Sequence, residues 1–157
     1  MEGKDIIGES ATGSGKTLAF GCGIVEQVNP KEGLRALVLT PTRELAEQVK
    51  DAVREISSQK NLKIISVYGG VSISQQIRDI PKAQVVIATP GRLMDHLQRG
   101  TINLSKVKIL VLDEADRMLD MGFLDDVEKI IGECPTDRQT LFFSATISRE
   151  IDRKSVV

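Results

Sequence analysis

Cysteine is scarce in this sequence, because the 157 residues contain only Cys22 and Cys134. The two cysteines lie far apart and lack the paired spacing of a zinc site, so we expect neither a structural zinc nor a disulfide framework. We predict that both are reduced side chains packed inside a protein of the cytosol.

An excess of one charge and long apolar runs are also absent. The formal net charge of −1 argues against a globally basic nucleic-acid binder, although a local basic face on a neutral body is compatible with it. No window approaches the roughly 20 apolar residues of a membrane span, and the start MEGKDIIGES has no apolar stretch of the signal-peptide type. We therefore expect a soluble, cytoplasmic protein without a membrane partner.

Short apolar runs, each followed by a segment of helical character, are what the sequence does contain. The runs are DIIGES, RALVLT, KIISVY, QVVIAT, VKILVLD and QTLFFS. Within them ALVL, VVIA and ILVL are continuously apolar, as central strands buried on both sides should be. The alternation predicts an α/β fold with a mostly parallel central sheet and helices on both faces. With 41% hydrophobic residues and no linker or repeat, we expect one domain over residues 1–157.

The clearest helix pattern lies in RELAEQVKDAVREI, where apolar residues recur at spacings of three and four. Charged residues occupy the other faces of this segment, so we expect one side of the helix to pack on the sheet. The apolar positions are Leu45, Val49, Ala52, Val53 and Ile56.

The stretch SATGSGKT lies between the strand DIIGE and the helical segment LAFGCGIVEQV, which is the context of a phosphate-binding loop. Gly13 and Gly15 allow a tight turn that aims backbone N–H groups at phosphate oxygens, and the following helix adds its positive end. Lys16 would reach the β- and γ-phosphates of a nucleotide, and Thr17 would offer its hydroxyl to Mg²⁺. The strict pattern G-x-x-x-x-G-K-[ST] fails at Ser10, so a Gly/Ser-rich turn without nucleotide is the alternative.

A pair of acids follows the buried run VKILVL. Asp113 can hold Mg²⁺, in part through water, and Glu114 can orient and deprotonate an attacking water molecule. The alternative is that the two acids only cap a helix after a strand. Together with the phosphate loop, the pair predicts a nucleoside triphosphatase.

Five motifs now stand in order along the chain: ATGSGKT, PTRELAEQ, TPGR, DEAD and SAT. In these motifs, and in the pair Gly69 and Gly70 after KIISVY, the chain resembles the first RecA-like domain of the DEAD-box ATP-dependent RNA helicases. The resemblance runs from the phosphate loop to Thr146, and the final DRKSVV carries no recognisable motif.

The resemblance implies a role for each motif. ATP would be held by Thr12, Gly13, Ser14, Gly15, Lys16 and Thr17, Mg²⁺ by Thr17 and Asp113, and catalysis would use Lys16, Asp113 and Glu114. Asp116 would contact Ser144 and Thr146 and couple the ATP site to domain movement. RNA would be bound by Pro41, Thr42, Arg43 and Glu44, by Gly69 and Gly70, and by Thr89, Pro90, Gly91 and Arg92.

All three RNA groups follow strands and should lie at the sheet edge that carries the phosphate loop. Arginines and backbone N–H groups suit phosphate oxygens, and aromatic residues amount to only 3%, so we expect largely sequence-independent contacts to the RNA backbone. For Arg43 and Arg92 the alternative is a solvated or helix-surface charge.

Three other residues invite a functional interpretation that we do not favour. We expect His96 to lie on a helix surface without a catalytic role, and Met118 and Met121 to serve in packing.

The family pattern also includes parts that this sequence does not show. These are an adenine-reading segment with a glutamine ahead of the phosphate loop, and a second RecA-like domain with arginine fingers. We therefore expect a fragment with little activity alone. Two other functions stay open: a nucleotide-dependent clamp or scaffold that does not unwind RNA, and a P-loop ATPase that acts on DNA or protein.

Overall fold

The structure, a computed structural model, describes residues 5–9 and 15–145. Six strands form one sheet in the order β1-β6-β5-β2-β4-β3, and each pair of neighbours is parallel. The strands are β1 Ile6–Glu9, β2 Ala36–Leu39, β3 Ile64–Val67, β4 Val85–Ala88, β5 Ile109–Leu112 and β6 Gln139–Ser144. All six predicted strands are confirmed.

Helices connect the strands and cover both faces of the sheet, as the sequence predicted. They are α1 Lys16–Gln27, α2 Arg43–Ile56, α3 Ile73–Asp79, α4 Pro90–Arg99, α5 Ala115–Asp120 and α6 Leu124–Glu133, with a 3₁₀ turn at Ile80–Lys82. The short helix α5 was not predicted as a separate element. The predicted helical segment SREIDR lies outside the described residues.

The core consists of two apolar layers, one on each face of the sheet. Successive strand residues point to opposite faces, so in β2 Leu37 belongs to one layer and Val38 to the other. Residues of α4, α5 and α6 fill the first layer, while α1 and α2 fill the second. This double covering explains why β2, β4 and β5 are continuously apolar and buried at every position.

Local signals set the ends of the helices that border the candidate site. Thr42 caps α2 by accepting a hydrogen bond from the Leu45 N–H at 3.2 Å. Pro90 occupies the first turn of α4, and Gly100 ends that helix in the left-handed conformation with φ of 70°. The helices following β2 and β4 therefore begin within a few residues of the strand ends.

Predictions for three single side chains are wrong. Cys22 is exposed because it lies two residues from both Phe20 and Ile24, which form the buried face of α1. Met121 is 47% exposed because α5 ends there, whereas Met118 is buried as predicted. His96, predicted on a surface, is fully buried, three residues from Leu93 on the inner face of α4.

None of the helices in the described part of the chain is both long and apolar enough to cross a membrane.

Candidate nucleotide site and nucleic-acid edge

A cleft of about 610 Å³ lies at the carboxyl ends of the strands. Lys16 and Thr17 reach it from the first turn of α1, and Asp113 and Glu114 reach it from the end of β5. The sequence separates these two pairs by almost a hundred residues, and the fold brings them together. Also in the lining are Thr42, Glu44, Leu45, Gln48 and Val49 of the α2 region, and Arg117.

Lys16 and Asp113 form an ion pair inside this cleft. The Lys16 Nζ lies 2.9 Å from Oδ1 of Asp113, with the side chains 8% and 0% exposed. The contact meets the distance for an ion pair but not the angles of a hydrogen bond, so charge attraction is the term that matters here. The Oδ2 atom of Asp113 is buried and has no hydrogen-bond partner among the described residues. This carboxylate therefore has unused capacity for a ligand.

Glu114 has an unusual backbone conformation. Its φ of 52° and ψ of 51° place a non-glycine residue in the left-handed region at the cap of α5. This conformation costs about 1 kcal/mol or more, and such strain is concentrated at functional sites. The side chain is 13% exposed, and its Oε2 lies 4.0 Å from Nη1 of Arg117. The turn carries the carboxylate into the cleft next to Asp113.

The prediction for the nucleotide site can be compared with the structure only in part. Gly15 lies directly before α1, while Thr12, Gly13 and Ser14 lie outside the described residues. The cleft also contains Gln48 and Arg117, to which the sequence assigned no role, although Gln48 ends the motif PTRELAEQ and Arg117 directly follows DEAD. Thr42 and Glu44, assigned to RNA from the resemblance, line the nucleotide cleft.

The structure describes two of the three predicted coupling residues. Asp116 lies in the first turn of α5, Ser144 is the buried last residue of β6, and Thr146 lies outside the described residues. Their role in domain movement stays a prediction.

The three predicted RNA groups lie at the ends of three neighbouring strands, β2, β4 and β3. Backbone hydrogen bonds join them, since the Thr40 N–H donates to the Ala88 carbonyl at 2.9 Å and the Thr89 N–H to the Val67 carbonyl at 3.0 Å. Pro41, Thr42 and Arg43 follow β2, Gly69 and Gly70 follow β3, and Thr89, Pro90, Gly91 and Arg92 follow β4. These residues form the polar edge beside the cleft, as predicted.

Arg43 is exposed, and its guanidinium lies over an aromatic ring. Its guanidinium carbon is 5.0 Å from the centre of the Tyr68 ring, a cation–π distance. The Tyr68 hydroxyl in turn donates to Oε1 of Glu47 at 2.6 Å, and Ser66 donates to the same oxygen at 2.8 Å. The charge of Arg43 is thus held beside the Gly69–Gly70 turn.

Glu47 anchors this arrangement. Burial raises the pKa of its carboxyl group, but hydrogen bonds from Lys50, Tyr68 and Ser66 outweigh that effect and lower the pKa to about 2. The hydrogen bond to Glu47 raises the pKa of Tyr68. Glu47 is therefore ionised, and Tyr68 is a neutral donor, at every pH near neutrality.

Arg92 has partners in the loop that follows β3. Its Nη1 donates to the Val71 carbonyl at 3.0 Å and to Oε1 of Gln76 at 3.2 Å, and its Nε lies 3.7 Å from Asp95. The side chain is 14% exposed. Arg92 therefore lies in the first turn of α4 with protein partners on its guanidinium and is not freely solvated.

A parallel sheet with a lysine and two carboxylates in a cleft at its carboxyl edge is the arrangement of a nucleoside-triphosphate-binding domain. The sequence model of the family described as DEAD/DEAH box helicase matches residues 1–153. The chain therefore belongs to the DEAD/DEAH box helicase family, as the resemblance implied.

Individual relatives agree with this family. The chain is 51% identical over 147 residues to a probable ATP-dependent RNA helicase of Methanocaldococcus jannaschii, covering 94% of this chain and 40% of that protein. It is 50% identical over 155 residues to the ATP-dependent RNA helicase CshA of Listeria monocytogenes, covering 98% of this chain and 30% of that protein. The chain thus spans well under half the length of these relatives.

A solved structure also matches. The crystal structure of a DEAD box protein from the hyperthermophile Methanococcus jannaschii superposes with a TM-score of 0.92 at 48% identity, covering 96% of this chain and 43% of that one. The predicted RecA-like α/β fold is confirmed.

Proposed function

We propose that this chain is the ATP- and RNA-binding domain of an ATP-dependent RNA helicase, which couples ATP hydrolysis to RNA unwinding or to remodelling of RNA–protein complexes. The observation that carries the proposal is the meeting of Lys16, Asp113 and Glu114 in one cleft, next to an arginine-bearing edge on the same side of the sheet. The helicases CshA and its relatives, to which the chain is similar, support it.

Mg²⁺ fits the residues present. Asp113 offers a fully buried carboxylate whose Oδ2 has no partner among the described residues, and Thr17 supplies a hydroxyl in the same cleft. Within residues 5–9 and 15–145 no cluster of three or more His, Cys, Asp or Glu side chains could hold a metal alone. Mg²⁺ fits a site with so few protein ligands, because it commonly binds through one or two carboxylates together with substrate phosphates. When bound, it would neutralise phosphate charge.

Lys16 and Glu114 would have different roles in ATP hydrolysis. The ammonium of Lys16 would attract the β- and γ-phosphates of ATP. These phosphates and the Asp113 carboxylate would then compete to pair with the ammonium. Glu114 would accept a proton from the attacking water and hold that water in line with the phosphorus. The strained turn at Glu114 keeps the carboxylate at this point of the cleft.

RNA binding would use the polar edge after β2, β3 and β4. Arg43 and Arg92 are already held in place by protein partners, so each would lose little side-chain freedom on meeting a phosphate. Contacts of this kind carry no base information, so binding should be largely independent of sequence. We expect a preference for RNA over DNA, because DNA lacks the 2′-hydroxyl group. Competition between RNA and DNA of matched sequence tests this preference.

The activity should need a second RecA-like domain, for which the relatives have room because the match covers only 40% and 30% of their length. An arginine finger contributes a factor of about 10³ to 10⁵ in phosphoryl transfer, and here it would come from that second domain. We accordingly propose that the chain alone has little ATPase or unwinding activity. The cytoplasmic location also stays a prediction.

The test is RNA-stimulated ATP hydrolysis by the 157-residue chain, before and after the second domain of a close relative such as the Bacillus subtilis CshA is added in trans. We expect slow turnover alone and a large rise on addition. Fast turnover by the chain alone would contradict the assignment of the missing groups. RNA binding that depends on ATP but never leads to hydrolysis or unwinding, even with the second domain, would favour the clamp alternative.

A further inference from the structure

A buried amide lies under the loop that joins β3 to α3. Gln76 of α3 is only 6% exposed although its side chain is polar. Its Nε2 donates to the Tyr68 carbonyl at 2.9 Å, and its Oε1 accepts from Arg92 at 3.2 Å and lies 2.8 Å from Nε2 of His96. We call Gln76, Tyr68, Arg92 and His96 the Gln76 cluster. No sequence motif marks Gln76.

The orientation of the amide follows from its partners. The Tyr68 carbonyl can only accept, so the nitrogen of the amide must face it, and an arginine can only donate, so the oxygen must face Arg92. Both requirements give the same orientation. The oxygen can then only accept from His96, so Nε2 of His96 carries a proton. Burial, and then the charge of Arg92, lower the pKa of His96, which favours the neutral ring. With the proton on Nε2, Nδ1 accepts from the Thr101 hydroxyl at 2.7 Å.

The cluster fixes the inner half of the Arg92 guanidinium. Nη1 has two N–H groups, and these point to the Val71 carbonyl and to Gln76. Nη2 carries two further N–H groups, and the contacts of Arg92 with the described residues use Nη1 and Nε instead. Gln76 therefore ties the loop of Gly69 and Gly70, through Tyr68, to the arginine that follows β4.

We infer that Gln76 is a positioning residue for RNA binding, which holds Arg92 and the Gly69–Gly70 loop in one geometry so that both meet the same phosphate backbone. This inference rests on the proposed RNA-binding function. Gln76 itself does not touch RNA and acts through Arg92 and the loop. Losing the cluster would leave Arg92 mobile and still charged.

The test compares neighbours on one helix. Gln76→Met keeps the length of the side chain and removes its hydrogen bonds, whereas Gln75→Met is the matched control, because Gln75 is exposed and bonds only to Asp79 and Arg78. Binding of a short single-stranded RNA is followed by ¹H–¹⁵N NMR titration at low salt, where electrostatic binding is strongest and weak affinities are measurable. Thermal unfolding of each variant checks that it is folded.

We expect Gln76→Met to weaken RNA affinity roughly threefold to tenfold, as for loss of one ordinary hydrogen bond, and Gln75→Met to leave it unchanged. Arg92→Ala should weaken affinity at least as much. The double variant Gln76→Met/Arg92→Ala should be close to Arg92→Ala, because the two residues act through one contact. Gln76→Glu keeps the acceptor for Arg92 but loses the donor to the Tyr68 carbonyl, so it should restore only part of the affinity.

The outcomes separate the two proposals. Unchanged affinity in Gln76→Met, or losses that multiply in the double variant, would overturn the positioning role while leaving RNA binding intact. Absence of RNA binding by the wild-type chain, or no effect of Arg92→Ala, would overturn the proposed function itself. If Gln76→Met does not fold, the tautomer of His96 in the wild-type chain provides the test, because His96 is the sole histidine. Ring ¹⁵N chemical shifts that place the proton of the neutral ring on Nδ1 would contradict the cluster.

Discussion

The ammonium of Lys16 and the carboxylate of Asp113 meet at 2.9 Å with almost no exposure to solvent. They come from different ends of the chain, one from the start of α1 and the other from the end of β5. Two buried opposite charges stabilise each other only while both are present. Each residue is also expected to bind a part of Mg²⁺–ATP. The same two side chains should therefore affect both the stability of the fold and the binding of the nucleotide.

Lys16→Ala should therefore reduce both properties. We expect loss of productive ATP binding and a fall of about 3 kcal/mol in the free energy of unfolding, because the Asp113 carboxylate stays buried without its cation. Urea unfolding followed by circular dichroism measures the stability, and titration with ATP measures the binding. Lys16→Ala/Asp113→Asn should regain most of the stability and none of the binding.

An exposed ion pair provides the control for Lys16. Lys108 lies 3.0 Å from Glu32 with its side chain 46% exposed, so Lys108→Ala should change the free energy of unfolding by at most about 0.5 kcal/mol. Equal effects of the two lysine substitutions would show that burial of the Lys16–Asp113 pair does not matter.

Glu47 should make stability depend on acid pH. Its pKa is about 2 in the fold against 4.5 for an unperturbed glutamate side chain, so the unfolded chain takes up a proton first as the pH falls. The stabilisation by Glu47 is thus present above pH 4.5 and is lost as the pH falls from there towards 2. Because the side chain is 35% exposed, we expect only about 1 kcal/mol after allowance for solvent screening.

The comparison of wild type with Glu47→Gln isolates this contribution. The variant should be less stable at pH 7 by about 1 kcal/mol, and the difference should vanish near pH 2. Urea unfolding at several pH values measures it. A difference that stays constant over this range would mean that the carboxylate charge is not the cause.

The two cysteines should differ in reactivity. Cys22 is exposed, whereas Cys134 is 6% exposed and burial raises its pKa to about 11, so almost none of it is thiolate at pH 8. We expect a maleimide to label Cys22 in the folded chain and Cys134 only after addition of denaturant. Cys22→Ser should abolish the fast labelling, and fast labelling that persists in this variant would contradict the buried position of Cys134.

The strands and the nucleotide cleft could be predicted from sequence because their signals are local. Continuous apolar runs such as ILVL mark doubly buried strands, and charged residues directly after them must lie at one edge of a parallel sheet. For this reason the sequence alone predicts that Lys16, Asp113 and Glu114 lie at one edge of the sheet, and they line one cleft there.

The side chains that the sequence misplaced are those whose surroundings come from distant parts of the chain. His96 was expected on a surface because it lies in a polar helix, but Gln76, twenty residues earlier, provides the partner that permits its burial. Gln76 and Arg117 belong to no motif, and only their contacts in the structure identify them as parts of the site. Burial of a polar side chain depends on its hydrogen-bond partner, and pairing across twenty residues has no period that a sequence displays.

The backbone at Glu114 gives the final prediction. Because its φ is 52°, a residue with a Cβ atom is strained there, and glycine is not. Glu114→Gly should be more stable than Glu114→Ala by about 1 kcal/mol, since both lack the carboxylate and differ only in the cost of this conformation. Urea unfolding of the two variants measures this difference.

Glu114→Gln then separates the backbone from the chemistry. It keeps the side-chain shape and the strained turn but removes the base, so folding and ATP binding should be retained while hydrolysis falls about 100-fold or more. Hydrolysis is measured with the second domain present, under single-turnover conditions, beside ATP titrations of the same samples. If Glu114→Gln lost ATP binding while its single-turnover rate stayed normal, the carboxylate would be a binding group and the base would have to be sought elsewhere in the cleft. If Glu114→Gly were no more stable than Glu114→Ala, the left-handed turn would not be strained, and the strain could not be what holds Glu114 in the cleft.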